Sequence, residues 1–526
     1  MLKFSPASLM FSRSFFFSLA LFSFLSFAIP TLNGEEKKEK KSKKEDKKAD
    51  EKETDKDKTE TSKGKFSKDR RLIILKNGTK EVSAKQFMGY SNVRKVVLPN
   101  GITAIGDEAF SGCKMLEDIT IPETVTSIGK NAFEGCARLA SLKLPAGMTE
   151  ISDETFKNCS SLSRIILPNG LEKIGKGAFN DCSRLKGIRF SKKLTAIGDE
   201  AFLGCSSLDG IRLPARLTEI GAKAFAGCRS LTSVNIPAGV EKWNNNPFAD
   251  CPRLTIILAS GHPAFVQFKG VILNKEKNTI LHYSAAKRQE SFIPPKQITT
   301  IGAGAFSGAV YLRAVAFPQT LEEVQEEAFA NCQNLSLLQF RNPEMTVGKG
   351  AFSNCVSLKS VVLPAKCTEL PENLFSGCVK LAQVKLPAAL EKIGDGTFEK
   401  CSGLHHITFP ESLTSIGKKA FSSCSYLDKV TLPKNIAEIG ESAFEKCVRL
   451  QDVQLPGSLT AVKKNTFSGC IILRKLILPK LVETVEEGAF DKCEKLTKVV
   501  TLNPDLEENE DVFGKKIKLI KPRKKR

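Results

Sequence analysis

CKMLEDITIPETVTSIGKNAF, which spans Cys113 to Phe133, is one copy of a pattern that fills most of the chain. Phenylalanine recurs every 23 residues on both sides of one interruption, at Phe87, Phe110, Phe133, Phe156, Phe179, Phe202, Phe225 and Phe248 and then at Phe306, Phe329, Phe352, Phe375, Phe398, Phe421, Phe444, Phe467, Phe490 and Phe513. A fixed period of about 20 to 50 residues is typical of solenoids, in which each repeat stacks on the next. The sequence therefore predicts an array of stacked rungs and not several separate globular cores.

Each repeat carries signals for a short strand and a turn. Ile119 and Ile121 alternate with Thr120, which predicts a strand with its aliphatic side chains inward and Thr120 outward. Pro122 ends that strand, because proline has no N–H to donate to the next rung. Gly129 is expected to supply a turn geometry that a β-carbon would resist. The Ala-Phe pair that closes the repeat is expected to pack the far side in a short helical or 3-10 turn.

The string LxxIxLPxxLxxIGxxAFxxC, repeated over most of residues 87 to 500, resembles the BspA-like, treponemal-type leucine-rich repeat family with its 23-residue units. The resemblance implies an α/β leucine-rich-repeat solenoid. Short parallel strands would form one face, with turns and short helical or 3-10 segments on the other side. It also implies a secreted or surface-exposed, non-enzymatic binding protein that acts in adhesion or in protein or glycan interaction.

The period breaks between Phe248 and Phe306, which divides the repeats into a first array (72–259) and a second array (295–514). The insertion between them (260–294) contains FKGVILNKEKNTILHYS, which predicts two strands joined by a polar turn. Two interpretations remain open, a projecting binding element and a plug that divides two cores. At the start of the first array, Asn77-Gly78 between two apolar runs predicts a capping hairpin.

The two ends of the chain differ from the arrays. Residues 1–28 have the basic start and apolar run of a signal peptide, with an uncleaved anchor as the alternative. Residues 29–71 are rich in Lys, Glu and Asp and predict a disordered charged linker. The tail 515–526, KKIKLIKPRKKR, has eight basic residues and no acidic one. Together these ends predict a secreted or cell-surface protein, periplasmic or envelope-associated as an alternative, whose tails can contact the envelope electrostatically.

The chain has 16 cysteines. All but Cys367 occupy the same repeat position, namely Cys113, Cys136, Cys159, Cys182, Cys205, Cys228, Cys251, Cys332, Cys355, Cys378, Cys401, Cys424, Cys447, Cys470 and Cys493. Ala309 fills this position in another repeat, which indicates a small, buried, apolar role and favours free thiols. Disulfides between neighbouring rungs are the alternative. A zinc site is disfavoured, because the sequence has neither a Cys-x-x-Cys motif nor a histidine cluster.

No catalytic, cofactor or metal motif is found in the sequence. The four histidines are His262, His282, His405 and His406, and none lies in a nucleophile or metal pattern. His405 and His406 fall on outward strand positions, as a solvated pair or as contact residues.

The outward strand positions predict the ligand-binding residues. We call the following set the basic track: Lys143, Arg164, Lys186, Arg189 and Arg212. The alternative is an ordinary solvated face. Such a cluster favours an acidic glycan or an acidic segment of an extracellular protein, and nucleic acid is not expected. The function hypotheses are a macromolecule-binding protein and, alternatively, a structural or scaffolding component of the cell envelope.

Overall fold

The computed structural model describes residues 65–66, 71–507, 510–513 and 516–522. The predicted signal peptide (1–28) lies outside these residues, as does most of the predicted linker. The described chain is a solenoid of stacked coils, in which each repeat adds one rung and two ladders of short parallel strands run along the stack. The period predicted the stacking of rungs, and the family resemblance implied this leucine-rich-repeat architecture.

The first ladder forms the face on which the repeats expose their outward side chains, and we call it the strand face. Its strands are Leu72–Ile74, Lys95–Val97, Asp118–Thr120, Ser141–Lys143, Arg164–Ile166, Ser233–Ile236, Thr255–Leu258, Ser291–Phe292, Ala314–Ala316, Leu337–Gln339, Ser360–Val362, Gln383–Lys385, Lys429–Thr431, Asp452–Gln454, Leu476–Leu478, Lys498–Thr501 and Lys518–Ile520. Parallel pairing joins equivalent repeat positions, as in Val96 to Ile119. In most three-residue strands the middle residue is therefore buried while its neighbours face outward, as at Ile119. The order is reversed in Leu476–Leu478, where the middle residue, Ile477, faces outward.

The second ladder consists of two-residue strands on an adjacent side of the rungs. They are Glu81–Val82, Ala104–Ile105, Ser127–Ile128, Glu150–Ile151, Lys173–Ile174, Ala196–Ile197, Glu219–Ile220, Thr300–Ile301, Glu323–Val324, Thr346–Val347, Glu369–Leu370, Lys392–Ile393, Ser415–Ile416, Glu438–Ile439, Ala461–Val462 and Thr484–Val485. A glycine follows many of these strands. At Gly129 a β-carbon would lie 2.6 Å from the backbone nitrogen of Asp107 in the preceding rung. The glycine is thus required by close contact between rungs, and not by the turn geometry that the sequence suggested.

The predicted helical or 3-10 segments opposite the strands are not present. The corner that holds Phe133 is a turn, in which Asn131 has a left-handed φ of 53°. The Phe133 N–H donates to the carbonyl of Thr155 in the next rung at 2.9 Å. Donors of this kind alternate with donors that bond three residues back, as the N–H of Glu134 does to Asn131 at 3.0 Å. A continuous run of bonds within the chain segment, which a helix needs, therefore does not form. Within the described residues, helix occurs only at Ala285–Lys287 (3-10) and Glu510–Phe513.

The phenylalanines of successive repeats stack in the core. Phe179 is fully buried, and its ring centroid lies 5.4 Å from that of Phe156 and 5.1 Å from that of Phe202. The buried apolar residues form two clusters, one for each array. A single column of rings thus runs through each core.

Between the arrays, Phe265–Phe268, Val271–Asn274 and Thr279–Tyr283 pair in antiparallel order. In the central strand Ile272 belongs to the core of the first array, whereas Val271 and Leu273 belong to the core of the second. This strand is therefore buried from both sides. We call segment 260–294 the plug, because its central strand contributes side chains to both cores.

Both ends of the solenoid differ from the prediction. The prediction of a capping hairpin across Asn77-Gly78 is wrong, because the two flanking strands do not pair with each other. Leu72–Ile74 pairs with Lys95–Val97, whereas Glu81–Val82 pairs in the second ladder. A short strand, Lys65–Phe66, instead covers Leu72–Ile74 in antiparallel fashion, inside the segment predicted to be disordered.

At the other end, Lys518–Ile520 pairs in parallel with Lys498–Thr501. Part of the predicted tail therefore forms the last rung, because its Lys-Leu-Ile sequence alternates in the same way as the other strands of the face.

Candidate functional site

The strand face exposes all five side chains of the basic track. Arg164 lies opposite Ser141 and Ile166 lies opposite Lys143 in the parallel register. Lys143 and Arg164 are therefore diagonal neighbours on one face. The structure thus brings the predicted residues to one surface, although their surroundings are not equivalent.

Lys143 is balanced by an acidic side chain that the sequence reasoning did not consider. Its ammonium group pairs with Glu123, which also accepts a hydrogen bond from the backbone N–H of Ala146 at 3.0 Å. The bond from Lys143 lowers the pKa of Glu123 below its usual range. Glu123 follows the strand-ending proline of the preceding rung, so it could have been found by inspecting the residue after each proline. The end of the track at Lys143 is consequently close to neutral.

A shallow cleft of about 590 Å³ surrounds this end of the track. Its lining includes Lys143 and Arg164 together with Glu117, Asp118 and Glu123. Asp118 is in turn paired with a lysine of the rung before it, at 2.6 Å. Charges of both signs therefore meet here, and the uncompensated positive charge lies further along the array.

At the centre of the track, two neighbouring rungs carry no side chain at an outward position of the strand face, and we call this gap the opening. Gly187 and Gly210 lie opposite each other in neighbouring rungs, and a β-carbon added at either would find no atom within 4 Å. Arg189 and Arg212 follow these glycines by two residues, so they are neighbours about 4.8 Å apart along the array. In the part of the chain that the structure describes, the four basic side chains other than Lys143 have no ion-pair partner. The sequence signal that we missed is the pair of glycines one period apart.

The ladder cysteines are buried and unpaired. Each thiol donates to the carbonyl of a phenylalanine in the preceding rung, as Cys136 Sγ does to Phe110 at 3.3 Å and Cys159 Sγ to Phe133 at 3.1 Å. Burial raises the pKa of the thiols, to about 12 for Cys113. The ladder is therefore a structural hydrogen-bonding column and lacks the thiolate character that a reactive cysteine needs.

The histidines are dispersed. His405 and His406 are exposed, and the ring of His405 meets that of Tyr426 edge-on at 5.1 Å. His282 is buried at the junction of the arrays, where its Nδ1 lies 3.4 Å from Asn246 Oδ1. No group of three or more His, Cys, Asp or Glu side chains suited to a metal ion occurs in the described ranges. Among the same residues, no helix has the length and apolar character that a membrane span requires.

A family model described as BspA type leucine-rich repeat region (6 copies) matches residues 80–209, 126–255, 282–405 and 391–519. This chain belongs to the BspA-type leucine-rich repeat family. The matches leave out residues 256–281, which contain the first two antiparallel strands of the plug. The family resemblance drawn from the repeat string is thereby confirmed, and the basic track lies within BspA-type repeats.

Among solved structures, the BspA-type chain is similar to a leucine-rich repeat protein of Eubacterium ventriosum, with 25% identity, a TM-score of 0.49 and coverage of 61% of this chain and 85% of that one. A Treponema pallidum leucine-rich repeat protein is 27% identical, with a TM-score of 0.30 and coverage of 49% and 99%. A leucine-rich cell surface protein of Faecalibacterium prausnitzii is 21% identical, with a TM-score of 0.39 and coverage of 79% and 87%. A search of curated proteins returned no match.

Proposed function

We propose that this protein is a secreted or surface-exposed, non-enzymatic binding protein that recognises an acidic glycan or an acidic protein segment through its strand face. The observation that carries the proposal is the group of exposed, unpaired basic side chains around the opening at Gly187 and Gly210. A ligand chain can approach the backbone closely there, because no side chain occupies the two positions. Arg189 and Arg212 then offer planar donors suited to sulfate or carboxylate groups.

The fold supports a binding role in preference to catalysis. A solenoid presents a continuous surface on which several rungs contact one extended ligand. The residues of the basic track come from neighbouring rungs and form such a surface. The plug contributes its central strand to both cores, so the strand face is the stronger candidate for the ligand site.

Electrostatics determine how strongly the individual residues contribute. Lys143 already has a carboxylate partner, whereas Arg164, Arg189 and Arg212 are free to pair with a ligand. An exposed ion pair contributes only about 0 to 1 kcal/mol, but several arginines acting together on one polyanion add their fields. We therefore place the ligand on the arginines, with Lys143 at the margin.

The experiment measures binding of the full chain to heparin as a model sulfated glycan. The Arg164→Ser/Arg189→Ser/Arg212→Ser variant should bind much more weakly than the unaltered protein, with the remaining affinity due to the basic residues of 515–526. Binding by the unaltered protein should weaken as salt screens the charges. The matched control is Lys143→Ser/Glu123→Gln, which removes both charges of the ion pair, leaves the net charge unchanged and should change affinity little. Retained affinity in the triple variant, with its fold intact by circular dichroism, would move the ligand site away from the basic track.

A further inference from the structure

The last three rungs of the strand face carry a second basic column, separate from the basic track. Lys475, Lys498 and Lys518 are exposed, and the parallel register of the three terminal strands sets them side by side. Within the described residues none of the three is in an ion pair. Asp452 lies opposite Lys475 in the preceding rung of the same column. These four positions therefore carry three positive charges and one negative charge.

An apolar column runs beside these lysines. Ile477, Val500 and Ile520 lie opposite one another in register. Ile477 and Ile520 expose 41% and 37% of their surface, and Leu502 nearby exposes 52%. We call the three lysines together with Ile477, Val500 and Ile520 the terminal face. Lysine and aliphatic side chains thus stand in parallel rows on one sheet, which makes this sheet surface amphipathic.

We propose that the terminal face docks on the surface of a bilayer that contains anionic lipids. The ammonium groups would pair with lipid phosphates, and the aliphatic side chains would enter the headgroup boundary. A shallow cleft of about 510 Å³, lined by Lys475, Pro479 and Leu502, gives a headgroup room beside the apolar column. This site and the proposed ligand site on the basic track are independent, because they use different rungs.

Two further observations favour a bilayer over a soluble polyanion or peptide. A soluble glycan would satisfy the lysines but leave the aliphatic column in water. The sequence that follows the last strand, KPRKKR (521–526), adds five basic residues directly after the terminal face. A basic sequence of this length is suited to a broad anionic surface.

The test is vesicle flotation of the full chain with phosphatidylcholine alone and with phosphatidylcholine containing phosphatidylglycerol. The protein should float only with the anionic vesicles. The Lys475→Gln/Lys498→Gln/Lys518→Gln variant should partition onto anionic vesicles about 100-fold more weakly, because each lysine near an anionic surface contributes a factor of about five. The Ile477→Ser/Ile520→Ser variant should lose the partitioning that persists at high salt, where charge attraction is screened.

The matched control is Lys275→Gln/Lys359→Gln/Lys380→Gln, which removes the same charge from exposed positions outside both proposed sites and should leave flotation unchanged. Equal losses in the two triple variants would overturn the proposal, because net charge alone would then explain binding. Undiminished flotation of the lysine variant would assign binding to another part of the chain. Binding of a synthetic peptide of alternating Glu and Leu at the terminal face, without flotation, would reassign this face to acidic peptides.

Discussion

Replacing Phe179 by alanine is expected to damage the first array severely. The ring is fully buried and stacks between Phe156 and Phe202, with interplanar angles of 14° and 9°. Its removal leaves a gap in the middle of a ring column whose backbone bonds remain. Rungs on both sides lose a stacking partner, so the effect reaches at least three repeats.

The magnitude follows from known costs of buried rings. Phe179→Ala should lower the free energy of unfolding of the first array by about 3 to 5 kcal/mol. Phe179→Leu is the milder variant, because it keeps apolar volume and loses mainly the two ring contacts, each worth about 0.5 to 1.5 kcal/mol. The loss of unfolding free energy in Phe179→Leu reports the cost of the lost ring stacking. The additional loss in Phe179→Ala reports the cost of the lost apolar volume.

The damage should spread unevenly. Coupling in a solenoid acts between nearest neighbours, and the strand Val271–Asn274 separates the two cores. Native-state hydrogen exchange, followed by mass spectrometry, should show lost protection first in the rungs around Phe179. The chain's single tryptophan, Trp243, lies beside the plug, with its ring centroid 5.3 Å from that of Phe265. A change in Trp243 fluorescence will therefore show when the loss of structure around Phe179 has spread to the boundary between the two arrays.

The matched control is Phe421→Ala in the second array. Phe421 is equally buried and stacks on Phe398 at 5.3 Å and on Phe444 at 5.4 Å. Its loss should reduce protection in the second array and spare the first. Uniform loss of protection over both arrays in either variant would refute nearest-neighbour coupling and the dividing role of the plug.

Three other predictions address the thiols, the junction and the contact between rungs. In the folded protein a thiol reagent should modify only the partly exposed Cys367, and in denaturant without reductant it should modify close to 16 thiols; a count near zero in denaturant would mean that the ladder is oxidised. Burial lowers the pKa of His282 to about 3 from 6.5, so the unfolded chain takes up this proton first as the pH falls. Stability should therefore drop by about 1.4 kcal/mol per pH unit between about pH 6 and pH 4, and denaturant titrations of His282→Gln should show a shallower slope. Gly129→Ala should cost about 1 to 3 kcal/mol in thermal unfolding because of its contact with the preceding rung, whereas Gly147→Ala, where the nearest atom lies 3.5 Å away, should be tolerated.

The basic track illustrates how far the candidate site could be predicted. Alternation in the strands identified the outward positions, so all five residues were placed on one face. The partner of Lys143 was missed because Glu123 lies beyond the strand, after its proline, and reaches back across a rung. The opening at Gly187 and Gly210 does not follow from the charged residues that define the track, because it is formed by two positions that carry no side chain.

The 23-residue period alone determined the stacking, the buried columns and the position of the cysteines, because each follows from which side chains must avoid water. Tertiary structure decided which backbone groups pair. The Phe133 corner is a turn because its N–H finds the carbonyl of Thr155 in the next rung. Asn77-Gly78 does not close a hairpin because its flanking strands bond to different ladders. The local pattern of residue types determines which side chains are buried. Backbone pairing depends on the neighbouring rung, which the sequence of a single repeat does not specify.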